Sequence, residues 1–137
     1  MSVPSLPTEA PRSLALLSVV APVYNEEALI DEFYGRVCTA LEGLNFELVL
    51  VDDGSSDGSP QALDRIAAGD PRVRIVYLSR NFGHQTALTA GLDHACGDAV
   101  VMLDADLQDP PELIPRMLDH WRASLKRDSP SRSSRTA

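Results

Sequence analysis

Residues 16–24, LLSVVAPVY, and residues 47–51, ELVLV, are nearly unbroken apolar runs. Each ends abruptly in polar and acidic residues, NEE after the first and DDGSSDG after the second. Such runs fit strands covered on both faces, as in a parallel sheet packed between helices. Two more repeat the pattern, residues 73–78 (VRIVYL) and 99–103 (AVVML). Amphipathic stretches lie between them. Leu29, Ile30, Phe33, Val37, Ala40, Leu41 and Leu44 recur at helical spacing on a helix starting at about Glu26. Residues 60–68 read as a shorter helix, with Ser59 as N-cap and Pro60 at the first position. A third helix spans about residues 83–95, and a fourth opens at Pro110-Pro111 and runs to Trp121. Strand and helix alternate four times, the pattern of an α/β fold whose crossover helices join parallel strands.

The 137 residues amount to one domain, large enough to bury roughly two thirds of its unfolded surface without metal or disulfide staples. Twelve Lys and Arg stand against twenty Asp and Glu, a net charge of -8, which argues against nucleic acid as a partner. From Arg122 onward the chain carries five basic residues, one acid and five serines. Residues 1–121 therefore hold 7 basic against 19 acidic groups, a net charge of -12. The expected organisation is a disordered, proline-containing leader over residues 1–13, a domain over 14–122, and a disordered basic Ser/Arg tail over 123–137. Cys38 and Cys96 have no second Cys or His at ligand spacing and read as buried free thiols in a reducing compartment. No run approaches the ~18 apolar residues of a membrane span.

In an open α/β sheet, ligands bind beyond the carboxyl ends of the strands. Three of the four strand ends are acidic: Tyr24-Asn25-Glu26-Glu27, Asp52-Asp53-Gly54-Ser55, and Asp104-Ala105-Asp106-Leu107-Gln108-Asp109. Asp104 and Asp106, two residues apart at the end of an extended run, would leave the same face about 7 Å apart. Their carboxylates suit Mg²⁺ or Mn²⁺, which keep coordination positions open for phosphate oxygens, and Gln108 is a candidate third ligand. Alternatively, DADLQD is an acidic turn and helix cap. A carboxylate at Asp52 or Asp53 can accept from a nucleobase or ribose, or the segment is a glycine loop with a serine cap. Pro22, Tyr24, Asn25 and Glu26 could set an aromatic ring and polar groups against the same base, or mark only a helix start.

Taken together and in this order, these segments resemble glycosyltransferase family 2, the GT-A type of nucleotide-diphospho-sugar transferase, over Leu16 to about Trp121. LSRNFGHQ at residues 78–85, ALTAGL at 87–92 and LDADLQDPPE at 103–112 carry a narrower likeness to the polyprenyl-phosphate sugar transferases. That group includes dolichol-phosphate mannose synthase and bacterial undecaprenyl-phosphate sugar transferases. The resemblance implies a Rossmann-like GT-A fold with a mainly parallel sheet, of which this chain holds the N-terminal, donor-binding half. It implies that Pro22, Tyr24, Asn25, Glu26 and Asp52 or Asp53 line the base and ribose pocket. Asp104, Ala105 and Asp106 would touch the sugar nucleotide, with Asp106 the main, catalytic metal ligand and Asp104 and Gln108 assisting.

The implied reaction is an inverting, metal-dependent transfer from a UDP- or GDP-sugar to a polyprenyl phosphate, in the cytoplasm at the cytoplasmic face of a membrane. His84 stands where many relatives have Lys and reads as a plain surface histidine, and His94 and His120 read as ordinary helix side chains. The likeness stops near Trp121, before the acceptor half, so the chain reads as a shortened transferase. The alternative is a truncated nucleotide-sugar-binding fragment without turnover.

Overall fold

The computed structural model describes residues 14–127; the expected leader and the tail beyond Arg127 lie outside the described residues. Four strands alternate with helices: β1 (Leu17–Val23), α1 (Ile30–Ala40), β2 (Phe46–Asp52), α2 (Ser59–Gly69), β3 (Val73–Tyr77), α3 (His84–His94) and β4 (Ala99–Met102). A 3-10 turn at Pro111–Leu113 then leads into α4 (Ile114–Arg127). The strands form one all-parallel sheet in the order β3-β2-β1-β4. β1 pairs with β2 from Leu17↔Phe46 to Val23↔Asp52, and with β4 from Leu17↔Ala99 to Val20↔Met102.

The strand order explains the helix arrangement. The chain steps outward from β1 to β3 and then returns past β1 to place β4. A right-handed crossover that reverses direction must pass over the opposite face of the sheet. α1, α2 and α4 accordingly share one face, where Ile30, Phe33, Val37, Leu63, Ile114 and Leu118 pack on Leu17, Val19, Leu48 and Leu50. α3 lies on the other face, against Val20, Val49, Val51 and Val100. It approaches closely because residue 91 is glycine: a Cβ there would overlap the Val20 side chain and meet Val51 Cγ2 at 3.0 Å.

Several boundaries differ from the sequence reading. α1 starts at Ile30 rather than near Glu26, because residues 26–29 form a tight turn in which the Glu26 carbonyl accepts from the N–H groups of Leu29 and Ile30. Leu41 and Leu44 follow the helix in a turn and still pack on the core. Ser59 is the first residue of α2 rather than its cap; its hydroxyl instead accepts the Glu26 N–H at 3.0 Å. α4 continues to Arg127, so the first residues of the expected tail are helical. The expectation of two buried thiols fails for Cys96, which is exposed on the turn after α3, while Cys38 is half-buried; both are free. Among the described residues, no helix is long and apolar enough to cross a membrane.

Candidate functional site

Strand order reverses between β1 and β4, and in an open parallel sheet a crevice opens beyond the carboxyl ends at that point. A cleft of about 380 Å³ lies there. The end of β1 contributes Pro22, Tyr24 and Glu26, and the end of β2 contributes Asp53. The loop after β3 contributes Asn81, Gly83 and His84, and the turn after β4 contributes Asp104, Ala105 and Asp106. All four strand ends therefore meet in one site.

The two adjacent aspartates at the end of β2 part company. Asp52 continues the alternation of Leu48 and Leu50, faces α1 and α2, and lies outside the cleft; its Oδ1 is buried without a hydrogen bond among the described residues. Asp53 lines the cleft, but its carboxylate is engaged. Oδ1 accepts from the Phe82 N–H at 2.8 Å, and Oδ2 accepts from the Gly83 N–H at 3.1 Å and from Asn81 Nδ2 at 3.2 Å. The Asp53 N–H in turn donates to the Val23 carbonyl at 2.8 Å. Asp53 is thus a brace that fixes the 81–83 loop to the ends of β1 and β2. Gly54, at φ 73°, completes this junction, since a Cβ there would overlap the backbone of Arg80 and Asn81.

Asn25 is not part of the cleft lining. It adopts a left-handed conformation, φ 52°, which Asn tolerates better than most residues. Its Oδ1 accepts from the Ser56 N–H at 2.8 Å, and its own N–H donates to Ser55 Oγ at 2.9 Å. Gly58 N–H to Glu27 Oε1 (2.9 Å) and Glu27 N–H to Asp57 Oδ2 (3.3 Å) extend this latch between the loops after β1 and β2. Tyr24 and Glu26 flank Asn25, so the latch sets their approach to the cleft.

The paired carboxylates are not held as an extended strand would hold them. β4 stops at Met102, and Asp104-Ala105-Asp106 form a turn that continues through Leu107 at φ 68°. The 7 Å spacing of an extended run does not apply; buried Ala105 anchors the turn in the core and both carboxylates line the cleft. The Gln108 side chain is exposed and outside the lining, while its backbone N–H donates to Asp106 Oδ1 at 3.0 Å. His84, read from sequence as a plain surface residue, lines the cleft, with Nε2 2.9 Å from Asp104 Oδ1. The post-β3 loop was the strand end without acidic residues, and only the position rule pointed to it.

Acidic groups dominate the site. The Glu26 carboxyl is pushed up by partial burial and then by the charges of Asp106, Asp57 and Asp104. Among the described residues, no lysine or arginine lines the cleft, and no group of three His, Cys, Asp or Glu side chains is placed to hold a metal ion by itself. Two hard carboxylate oxygens in an uncompensated acidic cleft fit a divalent cation that takes its remaining ligands from water and a phosphorylated ligand.

Fold and site together define an open parallel α/β domain with an acidic cleft at the switch in strand order. The glycosyl transferase family 2 pattern matches residues 18–126, and the chain belongs to that family. It is 52% identical over 107 residues to the uncharacterized glycosyltransferase YkcC of Bacillus subtilis, covering 77% of this chain and 33% of the relative. It is 43% identical over 122 residues to the bactoprenol glucosyl transferase of Shigella phage SfX, covering 88% of this chain and 40% of that protein. The mannosyltransferase PcManGT from Pyrobaculum calidifontis, solved in complex with GDP-Man and Mn²⁺, superposes with a TM-score of 0.67 at 30% identity, over 88% of this chain and 34% of that one. The parallel sheet is that of the Rossmann-like GT-A fold expected from the sequence. The chain spans about a third to two fifths of the length of the curated relatives it matches.

Proposed function

We propose that the cleft binds a nucleotide-diphospho-sugar together with Mg²⁺ or Mn²⁺, and that the chain carries the donor side of an inverting sugar transfer to a polyprenyl phosphate. One observation carries this reading: Asp104 and Asp106 share a single cleft with Tyr24, Glu26 and Asp53 at the switch point of the sheet. Tyr24, 46% exposed at the cleft, offers its ring to a base, and Pro22 lies beside it. Asp104 and Asp106 would hold the cation, with Asp106 as the main ligand, while Gln108 acts through its backbone N–H on Asp106. When bound, the cation stabilises the charge that builds on the departing diphosphate.

In the transfer, a phosphate oxygen of the acceptor attacks sugar C1, the bond from C1 to the diphosphate oxygen breaks, and its electron pair leaves with the nucleoside diphosphate. Attack from the opposite face inverts C1. A phosphate monoester has its second ionisation near pH 6, so the acceptor is already nucleophilic at pH 7 and no side chain has to remove a proton. The named activity of the phage SfX relative, a bactoprenol glucosyl transferase, favours a polyprenyl acceptor, which would bring the reaction to the cytoplasmic face of a membrane. A donor-binding unit without turnover is the second reading, favoured by the share of the relatives' length that the chain spans.

The test is thermal unfolding of the 137-residue chain with UDP, GDP and their sugar conjugates, with and without Mn²⁺. A ligand at a hundred times its Kd adds about 2.7 kcal/mol, which raises Tm by several degrees. A metal-dependent shift for one nucleotide, lost in Asp106→Ala, is the expected result. A cooperative melt that no nucleotide moves would overturn the reading. Transfer of labelled sugar to undecaprenyl phosphate then separates turnover from binding alone.

A further inference from the structure

Asp104 and Asp106, in the turn after β4, are each held by one oxygen. Asp104 Oδ1 faces His84 Nε2 at 2.9 Å, and Asp106 Oδ1 accepts the Gln108 N–H at 3.0 Å. Among the described residues, neither Oδ2 makes a hydrogen bond. A carboxylate accepts and cannot donate, so Nε2 of His84 carries the hydrogen whatever the charge of the ring. The torsion that spins an aspartate carboxylate is broad, and one fixed donor removes that freedom.

His84 is itself fixed. It is the first residue of α3, the preceding Gly83 N–H is bound to Asp53 Oδ2, and the neighbouring Phe82 N–H to Asp53 Oδ1. A rigid line therefore runs from the end of β2 through the 82–84 loop to the turn after β4.

Building on the donor-site reading above, we propose that His84 is a positioning residue which orients Asp104 through Oδ1 and leaves Oδ2 to take a divalent cation. Outer hydrogen-bond partners of this kind tune metal affinity by fixing the ligand's orientation, and their loss typically weakens binding 10- to 100-fold. The role requires only an N–H at the Nε2 position, so Gln should supply it and Ala should not.

The experiment measures Mn²⁺ binding to the full chain by the EPR signal of free Mn²⁺, with UDP or GDP at saturation, and nucleotide binding in EDTA by calorimetry. His84→Ala should raise the half-saturating Mn²⁺ concentration about 10- to 100-fold, a far larger change than any in nucleotide binding measured in EDTA. His84→Gln should restore Mn²⁺ binding to within about threefold. Should His84→Ala fail to melt cooperatively, His84→Asn, whose amide ends short of Asp104, replaces it. Mn²⁺ titrations of His84→Ala that overlay the unaltered chain would overturn the proposal. So would an equal loss of nucleotide binding in EDTA, which makes His84 a direct contact to the nucleotide. If the unaltered chain itself binds no Mn²⁺ with either nucleotide, the donor-site reading fails first and the role of His84 falls with it.

Discussion

Asp52 and Asp53 are adjacent, equally buried and chemically identical, yet their replacement by Asn should have very different effects. Asp53 accepts three donors: the Phe82 and Gly83 N–H groups and Asn81 Nδ2. Asn keeps one acceptor oxygen and turns an NH₂ toward the donors that met the other. If the amide oxygen stays at Oδ1, Gly83 and Asn81 each face a donor; flipped, Phe82 does. At least one hydrogen bond to a charged group is lost, worth about 1.5–3 kcal/mol, and an unmet buried N–H adds about 1 kcal/mol or more.

The expected loss for Asp53→Asn is therefore about 2–4 kcal/mol, or roughly 8–16 °C in Tm at about 4 °C per kcal/mol for a domain of this size. Asp52 Oδ1, by contrast, is buried and accepts nothing among the described residues. Asp52→Asn breaks no hydrogen bond there and should change stability by less than about 0.5 kcal/mol. Urea denaturation followed by far-UV circular dichroism measures both. Equal losses for the two variants, or an Asp53→Asn within about 0.5 kcal/mol of the unaltered chain, would refute this division of labour between the two aspartates.

Asn25 should rank above Gly and Gly above Ala in stability. Gly loses the bond to Ser56, about 1 kcal/mol, whereas Ala also strains at φ 52°, a further ~1–2 kcal/mol; chemical denaturation gives the order, and an Ala variant as stable as Gly would contradict it. Asp70 is buried between α2 and β3, and its carboxyl is held well below the ordinary 3.8 by Arg72, against the opposing effect of burial, with Tyr34 assisting. Its folded value is depressed, so its stabilisation is present above pH ~4 and is lost as pH falls below that. Stability measured from pH 6 to 2 should therefore fall less steeply in Asp70→Asn, and parallel slopes would remove the effect.

The architecture was readable because it rests on local regularities. Continuous apolar runs ending in NEE and DDG mark buried parallel strands with polar carboxyl ends, and the stripe Ile30-Phe33-Val37 marks α1 as it was found. α1 starts later than its apolar spacing predicts because Glu26 has a helical neighbourhood in sequence but a partner, Ser59, 33 residues away. Cys96 looked like a small apolar residue suited to the core; its N–H is tied to Glu47 across the strand ends, which keeps the turn, and the thiol, at the surface.

The fold class, the polar strand ends and the pair Asp104 and Asp106 are legible along the chain, because each is written in residues close together in sequence. That Asp53 rather than Asp52 faces the cleft, that Asn25 latches loops instead of lining the site, and that His84 meets Asp104 all follow from packing in three dimensions. Those outcomes depend on hydrogen bonds spanning 20 to 31 residues. Which of two like carboxylates, or which of three histidines, finds such a partner is set by how the strand ends converge in space, and no local pattern encodes that convergence.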